Sequence, residues 1–320
     1  MPVGTAPRIV FAGTPDFAVP SLRALAASGA EIPLVLTQPD RPAGRGRRLS
    51  PPPVKRAAAE LGLRVAQPEA LSDASAPEAW GLADERPDLM LVVAYGLLLP
   101  RWARDWPRLG CVNVHASLLP RWRGAAPIQH AILGGDAVTG VTLMRIEAGL
   151  DSGPIYAARE TPIGADETAG ELHDRLAELG AALAAETLPR ILAGTIEPIP
   201  QDDTAKTYAP KLDKRDARLD WRAPAIDLAR RVRAFNPWPV AYTVADDGRV
   251  IRILAAAARP AAPEAERIAP GRIVAAGRDG IDVATGEGVL RLLRIQPPSS
   301  RVMDAAAYLA AHRLDGVTFV

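Results

Sequence analysis

Two polar side chains stand two residues apart in an apolar segment, and an acidic residue follows them between glycines. Asn113 and His115 lie in Cys111–Ile128 (CVNVHASLLPRWRGAAPI), and Asp151 lies in Gly149–Ile155 (GLDSGPI). Residues two apart on a β-strand point to the same face, so the amide and the imidazole are expected side by side. A glycine-flanked turn could bring the carboxylate to the imidazole. Such a set of groups can catalyse acyl transfer, and because it contains no side-chain nucleophile, the attacking group must come from a substrate.

These residues also have a structural interpretation. Asn113 and His115 could simply satisfy backbone groups at the end of a sheet, since an unpaired buried polar group costs about 1–3 kcal/mol. Cys111 lies on the same strand face and is interpreted as a small core residue rather than a catalytic thiol. The other three histidines fall in helical patterns, and we interpret them as non-catalytic.

The first part of the chain alternates apolar runs with helical patterns. This alternation predicts an α/β fold with a doubly wound, mainly parallel, Rossmann-like sheet that binds ligands at the carboxyl ends of its strands. Both Gly13 and His115 follow predicted strands at such ends. The predicted strands are Arg8–Ala12, Glu31–Thr37, Asp88–Ala94, Cys111–His115, Val138–Ile146 and Ile155–Thr161, and the predicted helices are Pro15–Ser28, Pro53–Leu61 and Glu167–Leu192.

The pattern changes after the last of these helices. We expect a catalytic domain over residues 1–195, a proline-containing linker over 196–210 and a second domain over 211–320. Five short strands with Gly, Asp and Pro at the turns indicate a small β-barrel of the OB type, and they are predicted at Ala241–Val244, Val250–Ala255, Gly271–Ala276, Gly280–Ala284 and Val289–Gln296. A short helix over 304–312 is expected to follow them.

Composition excludes several classes of protein. The single cysteine cannot form an intramolecular disulfide or a cysteine-based zinc site, which fits a reducing cytoplasm. The longest apolar run, Leu89–Leu99, is far below the ~20 residues of a membrane span. Residues 204–320 contain 19 Lys and Arg against 13 Asp and Glu, while the rest of the chain contains 19 against 24. This asymmetry indicates either a polyanionic partner or a chance imbalance on a solvated surface.

The turn after the first strand has the sequence FAGTP, Phe11–Pro15. A dinucleotide-binding fingerprint would need two further glycines here, and Pro15 removes an N–H that could bind phosphate. The sequence therefore argues against NAD and FAD binding and favours a tight turn that helps to shape a pocket.

An arginine-rich loop follows the second predicted strand, at Gln38–Pro53 (QPDRPAGRGRRLSPPP). Its four guanidinium groups belong to Arg41, Arg45, Arg47 and Arg48. Guanidinium groups on a loop without core residues are suited to phosphate contacts that position a nucleic acid. A solvated surface loop is the alternative.

Motifs along nearly the whole chain, from about Arg8 to the C-terminal helix, resemble those of the methionyl-tRNA formyltransferases. They are FAGTPDFAVPSL, TQPDRPAGRGRRL, VVAYGLLLP, GCVNVHASLLPRWRGAAPI, TGVTLMRIEAGLDSGPI, TYAPKL and RAFNPWP. HxSLLP and GLDxG are shared by the wider group of 10-formyltetrahydrofolate-dependent formyltransferases, whereas the arginine loop and RAFNPWP are more specific to the tRNA enzymes. Ser152, where Thr is usual, is a slight departure.

The resemblance implies that initiator methionyl-tRNA accepts, on its α-amino group, the formyl group of 10-formyltetrahydrofolate. Asn113, His115 and Asp151 match the catalytic residues of the family. Its folate-binding segment matches Ser117, Leu118, Leu119 and Pro120, and its tRNA-binding residues match Arg41, Arg45, Arg47, Arg48 and Lys211. We expect no metal, no membrane partner and a monomer.

The residue types suit this reaction. Asn113 and His115 are expected to donate hydrogen bonds to the oxyanion, and Asp151 to orient the imidazole and accept the amine proton directly or through a water. A formyltransferase acting on an amino-sugar nucleotide and a 10-formyltetrahydrofolate hydrolase remain the alternatives, and the arginine loop and basic C-terminal part argue against both. The complete Asn–His–Asp set argues against a non-catalytic RNA-binding protein.

Overall fold

The computed structural model of the chain describes residues 6–43, 48–72, 74–82, 86–262, 267–312 and 317–320. By their internal contacts the residues divide into two units. The first comprises Met1–Pro127, Val138–Pro162 and His173–Ala209, and the second comprises Ile128–Ala137, Ile163–Leu172 and Pro210–Val320. None of the helices in the described ranges is long and apolar enough to cross a membrane.

The first unit is built around a sheet. The strands of the first unit, inside and outside this sheet, are Ile9–Gly13 (β1), Val35–Leu36 (β2), Arg41–Ala43 (β3), Arg48–Ser50 (β4), Val65–Ala66 (β5), Leu89–Val93 (β6), Cys111–His115 (β7), Arg123–Gly124 (β8), Val138–Arg145 (β9), Ile155–Pro162 (β10) and Tyr208–Ala209 (β11). Within the described ranges, seven of them form one sheet in the order β10-β9-β7-β6-β1-β2-β5. Neighbouring strands from β7 through β6, β1 and β2 to β5 pair in parallel. Strand β9 pairs antiparallel with β7, and β10 pairs antiparallel with β9. The predicted mainly parallel sheet is confirmed.

Helices cover both faces of this sheet. The α-helices of the described residues, including α7 and α8 of the second unit, are Val19–Ala27 (α1), Pro53–Glu60 (α2), Ala76–Ala79 (α3), Arg101–Asp105 (α4), Pro127–Leu133 (α5), Ala169–Leu192 (α6), Ala225–Ala234 (α7) and Ala305–Leu309 (α8). Val10 and Met90 pack in one cluster with Ala103 of α4. Ile9 and Leu91, which alternate with them, line a cavity together with residues of α1 and α6. Because these strands are covered on both sides, they are apolar at nearly every position.

The strand order reverses beside β1. The chain moves from β1 outward to β2 and β5, and then returns to the other side with β6 and β7. A doubly wound sheet opens a ligand crevice at the carboxyl ends of the strands at this point. Gly13 ends β1 there, and a Cβ at this position would lie 2.8 Å from the Ala18 Cβ and 2.9 Å from the Val93 carbonyl oxygen. The close approach requires a glycine.

The second unit contains an antiparallel sheet, formed by Tyr242–Val244 (β12), Val250–Arg259 (β13), Ile273–Gly277 (β14), Gly280–Ala284 (β15), Val289–Gln296 (β16) and Met303–Asp304 (β17). The order is β12-β13-β16-β15-β14, and β17 pairs with β16. Thr318 pairs with Arg272 beside β14, and Phe319 pairs with Ala245 beside β12. These bridges join the two edges, so the sheet closes into a barrel. Phe319 is buried and stacks on the buried Trp221, with 5.7 Å between the ring centroids.

Three segments differ from the sequence prediction. The strand expected over Glu31–Thr37 is reduced to β2, because Pro33 has no N–H for the ladder. The arginine loop carries a short antiparallel hairpin, in which β3 pairs with β4. The segment expected as a linker contains β11, which pairs in parallel with β8. Neither pairing has an alternating apolar pattern that the sequence could reveal.

Candidate active site

Strand β7 carries two polar side chains to the crevice end of the sheet. It lies between β6 and β9, with Asn113 opposite Val92 on one side and Met144 on the other. His115, the last residue of the strand, is 6% exposed, and Asn113 is half-buried. Among the described residues no group hydrogen-bonds to the Asn113 side-chain amide. Its two N–H donors are therefore available to a bound molecule.

The hydrogen bonding of His115 identifies the role of each ring nitrogen. Its Nε2 lies 2.9 Å from the Trp122 carbonyl oxygen. A carbonyl oxygen can only accept, so Nε2 carries the proton in the neutral ring and donates it to Trp122. The other nitrogen, Nδ1, lies 3.8 Å from Oδ2 of Asp151. This separation is too long for a direct hydrogen bond, and it leaves the Nδ1 lone pair free to accept a proton.

Asp151 lies in the connection between β9 and β10, in the left-handed backbone region with φ of 45°. Its Oδ2 atom accepts a hydrogen bond of 2.8 Å from the backbone N–H of Gly124 in β8. The Asp151 side chain is 19% exposed and the His115 side chain 7%. The predicted meeting of carboxylate and imidazole thus exists in the structure, with β8 fixing the position of the carboxylate.

The segment Gln201–Ala209, which sequence patterns assign to a linker, holds the residues around His115 and Asp151. Gln201 hydrogen-bonds to the backbone of Asp151, and the Thr207 hydroxyl accepts the backbone N–H of Trp122 at 2.9 Å. Sequence reasoning missed these residues because their partners lie 50 and 85 positions away along the chain. The polar run Gln201–Asp203, directly after Pro198 and Pro200 of the linker, was the only local signal.

The segment predicted to bind folate follows β7 directly. Ser117 is fully buried, and its hydroxyl donates to the Arg121 carbonyl at 2.6 Å. Thr142 donates to the Ser117 carbonyl at 2.7 Å and accepts the Leu119 N–H at 3.1 Å. Leu118 packs beside Gly140, where a Cβ would lie 2.6 Å from its Cδ2 atom. The hydroxyl of Ser117 therefore shapes the loop, while Pro120 is half-buried.

The arginine loop begins at a hydrogen-bonded anchor. Lys55 donates to both oxygens of Asp40, at 2.8 and 2.9 Å, and Gln67 donates to one of them at 2.8 Å. Hydrogen bonds lower the pKa of Asp40, and the bond from Lys55 has a larger effect than the bond from Gln67. Arg41 is exposed, and its Nη2 donates to Oε1 of Gln38 at 2.5 Å. These contacts therefore fix the backbone directly before Arg41, the first of the residues predicted to bind phosphate.

The remaining predicted tRNA-binding residues are less fully described. Arg45 and Arg47 lie outside the described residues, as does the side chain of Arg48. Lys211 is exposed at the start of the C-terminal part of the second unit.

Cys111 is a core residue, as predicted. It is buried, and burial raises the pKa of its thiol to about 12. A thiol with this pKa stays protonated at neutral pH, so it cannot serve as a nucleophile. Within the described ranges, no three His, Cys, Asp or Glu side chains are grouped to hold a metal ion.

Comparisons with known proteins show the family to which the chain belongs. The family model described as "Formyl transferase" matches residues 7–188, and the one described as "Formyl transferase, C-terminal domain" matches residues 211–313. The chain is 56% identical over 309 residues to "Methionyl-tRNA formyltransferase" of Methylococcus capsulatus, covering 97% of this chain and 98% of the relative. It is 57% identical to the protein of the same name from Halorhodospira halophila, covering 97% of each. The structure of HypX from Aquifex aeolicus in complex with tetrahydrofolic acid is 18% identical, with a TM-score of 0.62 over 98% of this chain and 48% of that chain, and shares the fold.

Proposed function

The chain belongs to the methionyl-tRNA formyltransferases, and on this premise we propose that Asn113, His115 and Asp151 transfer the formyl group of 10-formyltetrahydrofolate to initiator methionyl-tRNA. The protein is a formyl-transferring enzyme that acts on methionyl-tRNA. The observation that carries the proposed residue roles is the meeting of a free amide, an imidazole and a carboxylate at the crevice end of β7.

The acceptor amine must attack as the neutral species, and negative charge then develops on the formyl oxygen. The unpaired amide of Asn113 is the donor best placed to stabilise this oxyanion, because the N–H of His115, which the sequence also suggested for this role, is donated to the Trp122 carbonyl. One such donor lowers the activation barrier by about 3–4 kcal/mol. Its half-buried position on a central strand limits competition from water and keeps the donor preorganised.

The amine must lose a proton, and N10 of the folate must gain one before it can leave. The Nδ1 lone pair of His115 is suited to accept the first proton, because its Nε2 proton is already held by Trp122. The resulting imidazolium faces the Asp151 carboxylate, which stabilises the positive charge across 3.8 Å. His115 can then return the proton to N10, so that one residue serves as base and then as acid.

The finer substrate assignments rest on the matched segments and on a structural neighbour. Binding of 10-formyltetrahydrofolate at Ser117, Leu118, Leu119 and Pro120 is supported by the position of this segment directly after His115, and by the tetrahydrofolic acid in HypX. Residues 1–195 then supply the chemistry, and residues 211–320, joined by 196–210, contact the tRNA. Its phosphates would be bound by Arg41, Arg45, Arg47, Arg48 and Lys211.

A labelled donor tests this assignment. The enzyme is incubated with formyl-labelled 10-formyltetrahydrofolate together with methionyl-tRNA and an amino-sugar nucleotide in equal amounts. We expect label in formyl-methionyl-tRNA alone. Label in the sugar nucleotide or in free formate would contradict the proposed acceptor and indicate one of the two alternative reactions.

A further inference from the structure

We infer that Gln201 is a positioning residue for the reaction, because it fixes the backbone of the turn that carries Asp151. This inference rests on the proposed role of Asp151 in formyl transfer. Gln201 lies 50 positions further along the chain, in the segment that sequence patterns assign to a linker.

The side-chain amide of Gln201 is fully hydrogen-bonded. Its Nε2 donates to the Asp151 carbonyl at 2.8 Å and to the Gly153 carbonyl at 2.7 Å. Its Oε1 accepts from Nε of Arg123 at 3.1 Å and from Nη2 at 2.7 Å. Both N–H groups and both lone pairs are used, and a flipped amide would oppose N–H to N–H and oxygen to oxygen. The contacts therefore fix one orientation of the Gln201 amide.

The backbone of this turn has an uncommon conformation. Asp151 adopts φ of 45°, in the left-handed region, which Asp enters more readily than most L-amino acids but which is uncommon for any residue except glycine. Gly153 approaches β9 so closely that a Cβ would lie 1.9 Å from the Arg145 carbonyl oxygen. Gln201 holds the carbonyls at both ends of this three-residue turn, so it restrains the direction in which the Asp151 side chain leaves the backbone.

Arg123 connects the same support to the carboxylate. Its side chain is 3% exposed, and it also donates to Asp203 at 2.8 Å. This hydrogen bond is the main cause of the lowered pKa of Asp203. The residue after Arg123 is Gly124, whose N–H binds the Asp151 carboxylate. Strand β8 therefore fixes Asp151 twice, through Gly124 at the carboxylate and through Arg123 and Gln201 at the backbone.

The substitution Gln201→Glu separates the two halves of this contact. It keeps an oxygen acceptor for Arg123 but replaces the N–H donors with an oxygen that faces two carbonyl oxygens. We expect kcat to fall by about 10- to 100-fold, since a displacement near 1 Å has effects of this size. The KM values for the donor and for methionyl-tRNA should change by less than about threefold, because every hydrogen bond of the Gln201 amide is made to a residue of the chain itself.

Two further variants complete the test. Gln201→Met, of similar length and uncharged, should show the same loss of kcat, and it replaces the Glu variant if that protein does not fold. Gln296→Glu is the matched control, since Gln296 also accepts from an arginine, Arg252, and donates to a backbone carbonyl, that of Ser300. Its kcat should equal that of the wild type.

A double-mutant cycle with Asp151→Asn distinguishes positioning from general structural damage. If Gln201 acts through Asp151, Gln201→Met should lower single-turnover rates strongly in the wild type and by less than about twofold in the Asp151→Asn background. Equal losses in both backgrounds, or a wild-type kcat in both Gln201 variants, would overturn the inference. A wild-type rate in Asp151→Asn alone would instead refute the proposed role of Asp151.

Discussion

Removing the amide of Asn113 is the substitution that most clearly separates catalysis from folding. The amide makes no hydrogen bond to the described residues and is half-buried, so Asn113→Ala should change the free energy of unfolding by less than about 1 kcal/mol. In the transition state the same change removes an oxyanion donor. A loss of about 3–4 kcal/mol corresponds to a rate lower by about two to three orders of magnitude.

The chain supplies a matched control for this experiment. Asn236 uses its amide structurally, because Nδ2 donates to the Leu254 carbonyl at 3.0 Å. Asn236→Ala should therefore lower the unfolding free energy by about 1 kcal/mol and leave kcat at saturating substrate unchanged. Asn113→Ala is thus expected to lower turnover and keep stability, whereas Asn236→Ala is expected to lower stability and keep turnover.

Single-turnover formylation, measured by rapid quench with enzyme in excess, reads the chemical step directly. Urea unfolding gives the stability of each variant. A formylation rate in Asn113→Ala within about threefold of wild type would refute the oxyanion role of the amide. A large loss of stability in the same variant would show that the side chain is instead part of the fold.

Three further outcomes are expected. Arg41→Ala should raise the KM for methionyl-tRNA and reduce the salt dependence of tRNA binding by about one phosphate contact, while the KM for the donor stays unchanged. Arg101 is also exposed, and Arg101→Ala should leave both KM values and the salt dependence unchanged. Cys111, with a pKa of about 12, should escape iodoacetamide at pH 8 in the native enzyme and react in urea; labelling of the native thiol within minutes, read by mass spectrometry, would contradict its burial. Lys55→Met removes the main cause of the lowered pKa of Asp40. A carboxyl group whose pKa is lower in the folded protein than in the unfolded chain stabilises the fold at pH values above the unfolded-state pKa. This stabilisation is lost as the pH falls through the folded-state pKa. The Tm deficit of Lys55→Met should thus be present at pH 7 and shrink below about pH 4, and a deficit independent of pH would contradict this cause.

The sequence could predict the elements with strong apolar patterns and the residues they carry. β7 was predicted at its observed bounds, because five residues of a buried central strand leave a continuous run in which Asn113 and His115 stand out. The strands β15 and β16 were also predicted at their observed bounds, because Gly and Pro mark their ends. In each case the information is local to the element.

Contacts between distant segments could not be predicted. The pairing of β11 with β8 involves two residues on each strand, which is too short for a periodic signal. The Trp122 carbonyl that binds His115 is a backbone group, and sequence patterns give no information about its direction. Gln201 is a polar residue in a proline-rich stretch, where solvent exposure is the ordinary expectation. The residues that support the site were therefore missed, whereas the sequence did single out the three side chains that the structure brings together.

In the proposed mechanism, His115 moves the proton between the acceptor amine and the folate leaving group. The single-turnover formylation rate of His115→Ala, measured with saturating 10-formyltetrahydrofolate and methionyl-tRNA, tests this most directly. General acid–base catalysis of this kind contributes about 10²- to 10⁴-fold, and we expect a loss in this range with the fold intact by circular dichroism. A rate within about threefold of wild type would contradict the proposed proton transfer by His115.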